Sequence, residues 1–139
     1  MADLDSYLFF NGSCSQAMRF YERTLGAKLE MMMTVGQSPM ASKVPSAHHD
    51  KILHARLTVN GRALMASDWM DERPYEPMHG FRLSLSVSEL VEGRRVFDAL
   101  ADGGQVTMPL QKTFWAEGFG MLHDRFGTPW MVNIAAPST

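Results

Sequence analysis

His54 and Arg56 lie one residue apart in Leu53-His54-Ala55-Arg56-Leu57-Thr58-Val59. On an extended strand that spacing puts an imidazole and a guanidinium on one face, where they make a hydrogen-bonded edge-strand pair in the plainer reading, and bind a polar group or move a proton in the sharper one. Arg82 interrupts the apolar alternation of Phe81, Leu83, Leu85 and Val87. A guanidinium in such a run has to meet an anion, an internal carboxylate or solvent. Trp115 and Glu117 precede Gly118 and Gly120, so their facing depends on whether the strand bulges there. His123 shares parity with Phe119 and Met121 and reads as a hydrogen-bonded core histidine. Cys14 has no basic neighbour in its helical turn and reads as a buried apolar residue rather than a nucleophile. Of the other histidines, His48 and His49 are adjacent in a loop and His79 is in a linker, with no His-x-x-x-His pair anywhere. No nucleophile elbow, Walker loop or Ser/His/Asp set is present, and Gly118-Phe119-Gly120 does not make a nucleotide site.

Composition narrows the partners. The 139 residues carry 13 Lys+Arg against 15 Asp+Glu, a formal charge of −2, so no basic excess exists to neutralise a nucleic-acid backbone. No apolar run reaches the ~18 residues of a membrane span, and the start Met-Ala-Asp-Leu-Asp-Ser lacks a signal-peptide pattern. A single cysteine excludes an intrachain disulfide and favours a reducing compartment, so the expected location is cytoplasmic. The unusual count is 12 methionines, whose flexible thioethers fill irregular cores or adapt to varied ligands.

The elements that position these residues read as one pattern made twice. Leu4 to Asn11 is an aromatic-rich strand, followed by a helix with Ser13 and Gln16 as a capping box and Gly26 as its stop. Lys28 to Val35 is a strand, and 36–50 is a long loop of the kind that serves as a lid or mobile edge. Ile52 to Val59, Asn60-Gly61 and Arg62 to Ser67 make a hairpin, because Asn-Gly accepts the positive φ of a two-residue turn. After a linker at 68–80 the order repeats. Phe81 to Val87 is a strand, Ser88 caps a helix ended by Gly103-Gly104, and Gln105 to Gln111, Trp115 to Asp124 and Pro129 to Ile134 are strands. Matching Tyr21 to Phe97 gives an offset of 76 (97 − 21), and matching Met65 to Met131 gives 66 (131 − 65). With the first offset, Arg82, Ser84 and Ser86 correspond to Ser6, Leu8 and Phe10, all away from the helix. His54, Arg56, Thr58, Met65, Ser67, Met131 and Asn133 join them on that side.

The stretches Tyr7-Leu8-Phe9-Phe10-Asn11-Gly12, Ala17-Met18-Arg19-Phe20-Tyr21-Glu22, His54-Ala55-Arg56-Leu57, Leu64-Met65-Ala66-Ser67-Asp68, Met108 to Trp115 and Asp124 to Asn133 resemble the PhnB-like branch of the vicinal oxygen chelate superfamily. That superfamily includes glyoxalase I, extradiol dioxygenases and bleomycin- and fosfomycin-resistance proteins. The resemblance implies an α+β fold of two paired βαβββ modules, about 1–68 and 80–139, whose mixed sheets form a cup-shaped cavity, often across a homodimer. Metal-binding members take four ligands, His and Glu, from the first and fourth strands of each module. Carried over, those positions are approximately Ser6, Met65, Arg82 and Met131, with Asp5, Ser67 and Asn133 one or two residues away. Thioether, hydroxyl and guanidinium do not suit a divalent ion, so no metal cofactor is expected.

The expected function is therefore binding of a small, partly apolar, anionic molecule by a homodimer, through Arg82, His54, Arg56, Met65, Met131, Asn133, Phe10 and Trp115. A metal-dependent lyase or dioxygenase is the first alternative, and a sequestering protein without turnover the second. Some members of the branch bear a methyltransferase label. The glycine-rich strand-to-helix turn that holds S-adenosylmethionine in Rossmann-like methyltransferases is missing from this sequence.

Overall fold

A computed structural model describes residues 1–136. The chain divides into two compact units, Met1–Tyr75 and Glu76–Thr139. The first contains β1 (Ser6–Phe10), α1 (Cys14–Leu25), β2 (Lys28–Thr34), β3 (Ile52–Val59) and β4 (Arg62–Asp68). The second contains β5 (Leu83–Val87), α2 (Leu90–Ala101), β6 (Gln105–Gln111), β7 (Ala116–His123) and β8 (Pro129–Ala135). Each is a four-stranded mixed sheet, ordered β1-β4-β3-β2 or β5-β8-β7-β6, in which the first strand runs parallel to the fourth and the other neighbours are antiparallel. No helix among the described residues is long and apolar enough to cross a membrane.

In the first unit the core forms between α1 and one face of its sheet. Cys14, Ala17, Met18 and Tyr21 of the helix meet Leu8, Phe10, Ala55, Leu57, Leu64 and Ala66, all buried. Apolar groups at helical spacing meet apolar groups at alternate strand positions, which is what removes both stripes from water. Ser13 occupies the N-cap position but makes no side-chain capping bond, so the capping box expected there does not form. Asp68 at the end of β4 replaces it. Its Oδ1 accepts the Cys14 backbone N–H at 3.0 Å and its Oδ2 accepts that of Ile52 at 2.8 Å. The helix start and two strands thus share one buried carboxylate.

The β3–β4 turn is as expected, with Asn60 at φ 48° and Gly61 at φ 80°. The long loop is not open. It contains two short 3-10 turns, Ala41–Lys43 and Ser46–His48, and His49 Nε2 reaches the carbonyls of Ala41 at 2.9 Å and Val44 at 2.8 Å. Part of the expected linker also packs on the first unit. Trp69 donates its backbone N–H to Phe10 O at 2.7 Å, and Tyr75 donates its hydroxyl to Phe9 O at 2.9 Å.

In the second unit Val96, Phe97 and Leu100 of α2 face buried Leu122, Trp130, Val132 and Ile134. The N-cap of α2 is Glu89, one residue beyond the Ser88 expected from the sequence. Gly120 allows close approach of the helix, since a Cβ there would lie 2.7 Å from the Phe97 ring and 3.0 Å from the Leu110 backbone. Asp124 organises the β7–β8 turn as Asp68 does the helix start. Its Oδ1 accepts the backbone N–H groups of Phe126 and Thr128, and its Oδ2 accepts the Trp130 indole N–H at 2.8 Å.

Candidate functional site

Strand register fixes what stands on the sheet face away from each helix, because residues paired across a ladder share a side. In the first unit two rows cross the sheet. One runs Tyr7, Met65, Arg56, Met31; the other joins the pair Phe9 and Ser67 to the pair His54 and Met33, each two residues along its strand from the first row. A register shift between Leu29 and Met31 makes this possible, since it leaves Glu30 outside the regular pairing, turns Met31 and Met33 to the open side and leaves Met32 opposite buried Ala55.

Polar and apolar groups alternate across this face. The Tyr7 ring leans over β4 to stack on His54, with centroids 5.6 Å apart and planes 24° apart, and its hydroxyl lies 3.1 Å from His54 Nδ1. Ser67, paired with Phe9 on this face, is only 3% exposed. Arg56 is exposed, and its Nη1 is 3.7 Å from the Met65 sulfur. Among the described residues no carboxylate lies within ion-pair distance of it. Phe9 continues the apolar surface, edge-on to Trp69 at 5.6 Å, and Trp69 is edge-on to Tyr75 at 6.2 Å. Partial burial in that cluster pushes the Tyr75 phenol above its ordinary pKa.

The equivalent rows of the second unit are Ser84, Met131, Met121, Met108 and Ser86, Asn133, Phe119, Gln111. None of these eight side chains is charged at neutral pH. Met131 and Asn133 are half-buried on this open face. Trp115 lies in the loop before β7, half exposed, with its ring 4.8 Å from Phe114 and 5.4 Å from Phe119. Glu117 and His123 are half-buried at the ends of β7 on the same side, so His123 is not in the core where its parity with Phe119 and Met121 suggested it would be satisfied.

Two expectations need correction. Phe10 is not on the open face. It is fully buried beneath α1, as is Leu8 at 2% exposure, because the β1–α1 turn spans residues 11–13 while the β5–α2 turn spans only 88–89. Helix-based alignment therefore carries a strand one residue out of step, and one residue exchanges the two faces. Tyr7 and Phe9 are the true counterparts of Ser84 and Ser86, an offset of 77 (84 − 7). Arg82 makes no ion pair with a carboxylate among the described residues. Its Nη1 donates to the carbonyls of Leu122 at 3.1 Å and Trp130 at 3.2 Å, and its Nη2 to Thr107 Oγ1 at 3.5 Å. A single guanidinium spans from the start of β5 to β8, β7 and β6. The site residues missed from sequence, Tyr7, Phe9, Met31 and Met33, required the turn length and the β2 register shift.

The metal site implied by the superfamily does not fit these residues. The first-strand positions opposite Met65 and Met131 are Tyr7 and Ser84, so the four groups are a phenol, a hydroxyl and two thioethers. These are poor partners for an ion that prefers imidazole and carboxylate. Among the described residues, no group of three or more His, Cys, Asp or Glu stands ready for a metal ion.

A family model described as 3-demethylubiquinone-9 3-methyltransferase matches residues 2–133. Protein YjdN of Escherichia coli (strain K12) is 40% identical over 139 residues, covering 94% of each chain. Protein PA1353 of Pseudomonas aeruginosa, a solved structure, is 48% identical, covers 97% of this chain and 98% of that one, and superposes with a TM-score of 0.89. A PhnB protein from Bacillus cereus, 23% identical over 96% of this chain and 100% of its own, superposes at 0.77. At 15% identity and 98% coverage of both chains, a glyoxylase/bleomycin resistance protein/dioxygenase domain from Frankia sp. EAN1pec superposes at 0.64 and shares the fold alone.

Proposed function

The chain belongs to the 3-demethylubiquinone-9 3-methyltransferase family, a PhnB-like branch of the vicinal oxygen chelate superfamily, and from that membership we propose that it binds a small, partly apolar anion on the open face of its first sheet. The observation that carries this reading is Arg56. It is exposed in the row between the thioethers of Met31 and Met65, has no carboxylate within ion-pair distance among the described residues, and shares its strand face with His54. A carboxylate or phosphoryl group on Arg56 gains a charge-assisted hydrogen bond in place of a weak sulfur contact. Methionine and aromatic surface beside it takes the apolar part.

This reading assigns the anion to Arg56 rather than Arg82, whose donors are directed to backbone carbonyls and a threonine hydroxyl. It assigns binding without methyl transfer, since neither strand-to-helix turn, Asn11-Gly12-Ser13 or Ser88-Glu89, is glycine-rich in the manner of a cofactor-phosphate or nucleotide-binding turn. It assigns a small molecule as the partner and a homodimer as the working form, and requires no resident metal. Equilibrium sedimentation at a single-chain mass overturns the dimer. A rise in Tm on adding Ni, Zn, Mn or Fe(II) overturns the metal-free form.

The decisive experiment is a titration of protein labelled at its methionine methyl groups with small carboxylates, benzoate and hexanoate among them. Shifts concentrated at Met31, Met33 and Met65, and abolished by Arg56→Ala at unchanged Tm, support the reading. Absence of any shift at those three methyls across the series overturns it.

A further inference from the structure

We propose that the Tyr7 hydroxyl fixes His54 in its Nε2–H tautomer, so that His54 and Arg56 together form a two-donor seat for the carboxylate of a flat, apolar acid. This rests on the reading of the first sheet's open face as a ligand site and names the ligand class. The hydroxyl lies 3.1 Å from Nδ1, its one hydrogen-bond partner among the described residues. A phenol is a good donor and a poor acceptor, because its oxygen lone pair is drawn into the ring, whereas the bare nitrogen of an imidazole accepts well. Tyr7 therefore donates, Nδ1 carries the lone pair, and the single proton of the neutral ring resides on Nε2. Nε2 has no partner among the described residues, which leaves a directed donor on the face that also carries Arg56 two positions along the strand.

The surroundings select the remainder of the ligand. The Tyr7 ring, stacked near-parallel on His54, offers a flat aromatic floor. Met31, Met33 and Met65 stand around it, and Phe9, 45% exposed, extends it at one edge. A planar apolar body lies on such a floor with thioethers at its edges, while two donors of fixed direction match the two oxygens of one carboxylate.

Imidazole 15N spectra of the unliganded protein, at a pH where His54 is neutral, read the tautomer directly. The expected result is a pyrrole-type Nε2 and a pyridine-type Nδ1, with Tyr7→Phe moving both toward averaged positions. A pyrrole-type Nδ1 in the native protein, or a Tyr7→Phe spectrum identical to the native one, overturns the proposal. With benzoate as the probe, His54→Ala is expected to weaken binding about five-fold, the size of one hydrogen bond, and Tyr7→Phe by no more than that. Combined, they should do no more than His54→Ala alone, because Tyr7 acts through His54. Additive losses overturn the coupling. Benzamide, which keeps the ring and loses the charge, should bind at least ten-fold more weakly than benzoate, and equal binding overturns the carboxylate assignment. A failure of every carboxylate to move Met31, Met33 and Met65 instead removes the underlying site, and the spectrum of the unliganded protein separates that case from a wrong tautomer.

Discussion

Asp68 and Cys14 are 54 residues apart in sequence and joined by one buried hydrogen bond, in which the carboxylate accepts the first backbone N–H of helix α1 at 3.0 Å. The other oxygen of Asp68 holds the Ile52 N–H, and the residue is 3% exposed. Asp68→Ala leaves two buried donors unpaired, at an expected cost of about 3 kcal/mol. Asp68→Asn, which retains one acceptor, should lose roughly half of that. Urea unfolding curves check both values, and an alanine variant within ~0.5 kcal/mol of the native protein contradicts the shared-cap account.

Cys14 itself should be chemically silent. Burial, reinforced by the nearby Asp68 carboxylate, pushes its thiol up to about 12 from an ordinary 9.0. Iodoacetamide at pH 8 should label the urea-unfolded chain and spare the folded one. Because the folded-state pKa is the raised one, the related stability is complete below pH 9.0 and is lost as pH rises toward about 12, where only the unfolded thiol ionises at first. Cys14→Ala should remove that alkaline slope, and an unchanged slope would contradict the assignment.

Arg82 is expected to affect stability and not ligand binding. Arg82→Ala leaves the carbonyls of Leu122 and Trp130 without this donor, for a predicted loss of about 1–3 kcal/mol. Arg82→Lys should recover little, since one ammonium does not reproduce a planar fork. The benzoate response of Met31, Met33 and Met65 should remain in both variants at temperatures below their melting. Loss of that response in a folded Arg82→Ala protein returns the anion site to Arg82.

Gly120→Ala tests how tightly α2 sits on its sheet. The added methyl meets the Phe97 ring and the Leu110 backbone, and a backbone contact cannot swing aside as a side-chain tip can. The expected loss is about 1–3 kcal/mol. Truncating Phe97 to Leu in the same chain should relieve part of the strain, so the double variant should fall short of the summed losses.

Local signals place β3 and β6 to the residue, because apolar alternation, Asn60-Gly61 and Gly103-Gly104 mark their limits. They also assigned Trp130 and Val132 to the packed side and Met65 and Met131 to the open side. What they did not reveal depends on distance or on a single inserted residue. Nothing near Ser13 indicates that Asp68 displaces it as cap, and nothing near Arg82 indicates two carbonyls on strands 40 and 48 residues away. Phe10 and Tyr7 exchanged faces because two turns that read alike differ by one residue, and a period of two leaves no tolerance for that.

The paired rows also show where this architecture is free to diversify. Arg56 of one copy is matched by Met121 of the other, and Tyr7 by Ser84, while Met65 matches Met131 and Met31 matches Met108. Both copies retain one topology despite these exchanges, since foldability is invested in the helix-covered side and the bare side is released from that duty. Repeating a unit whose two surfaces differ in this way lets the paired rows of one half carry a cation while those of its twin carry none.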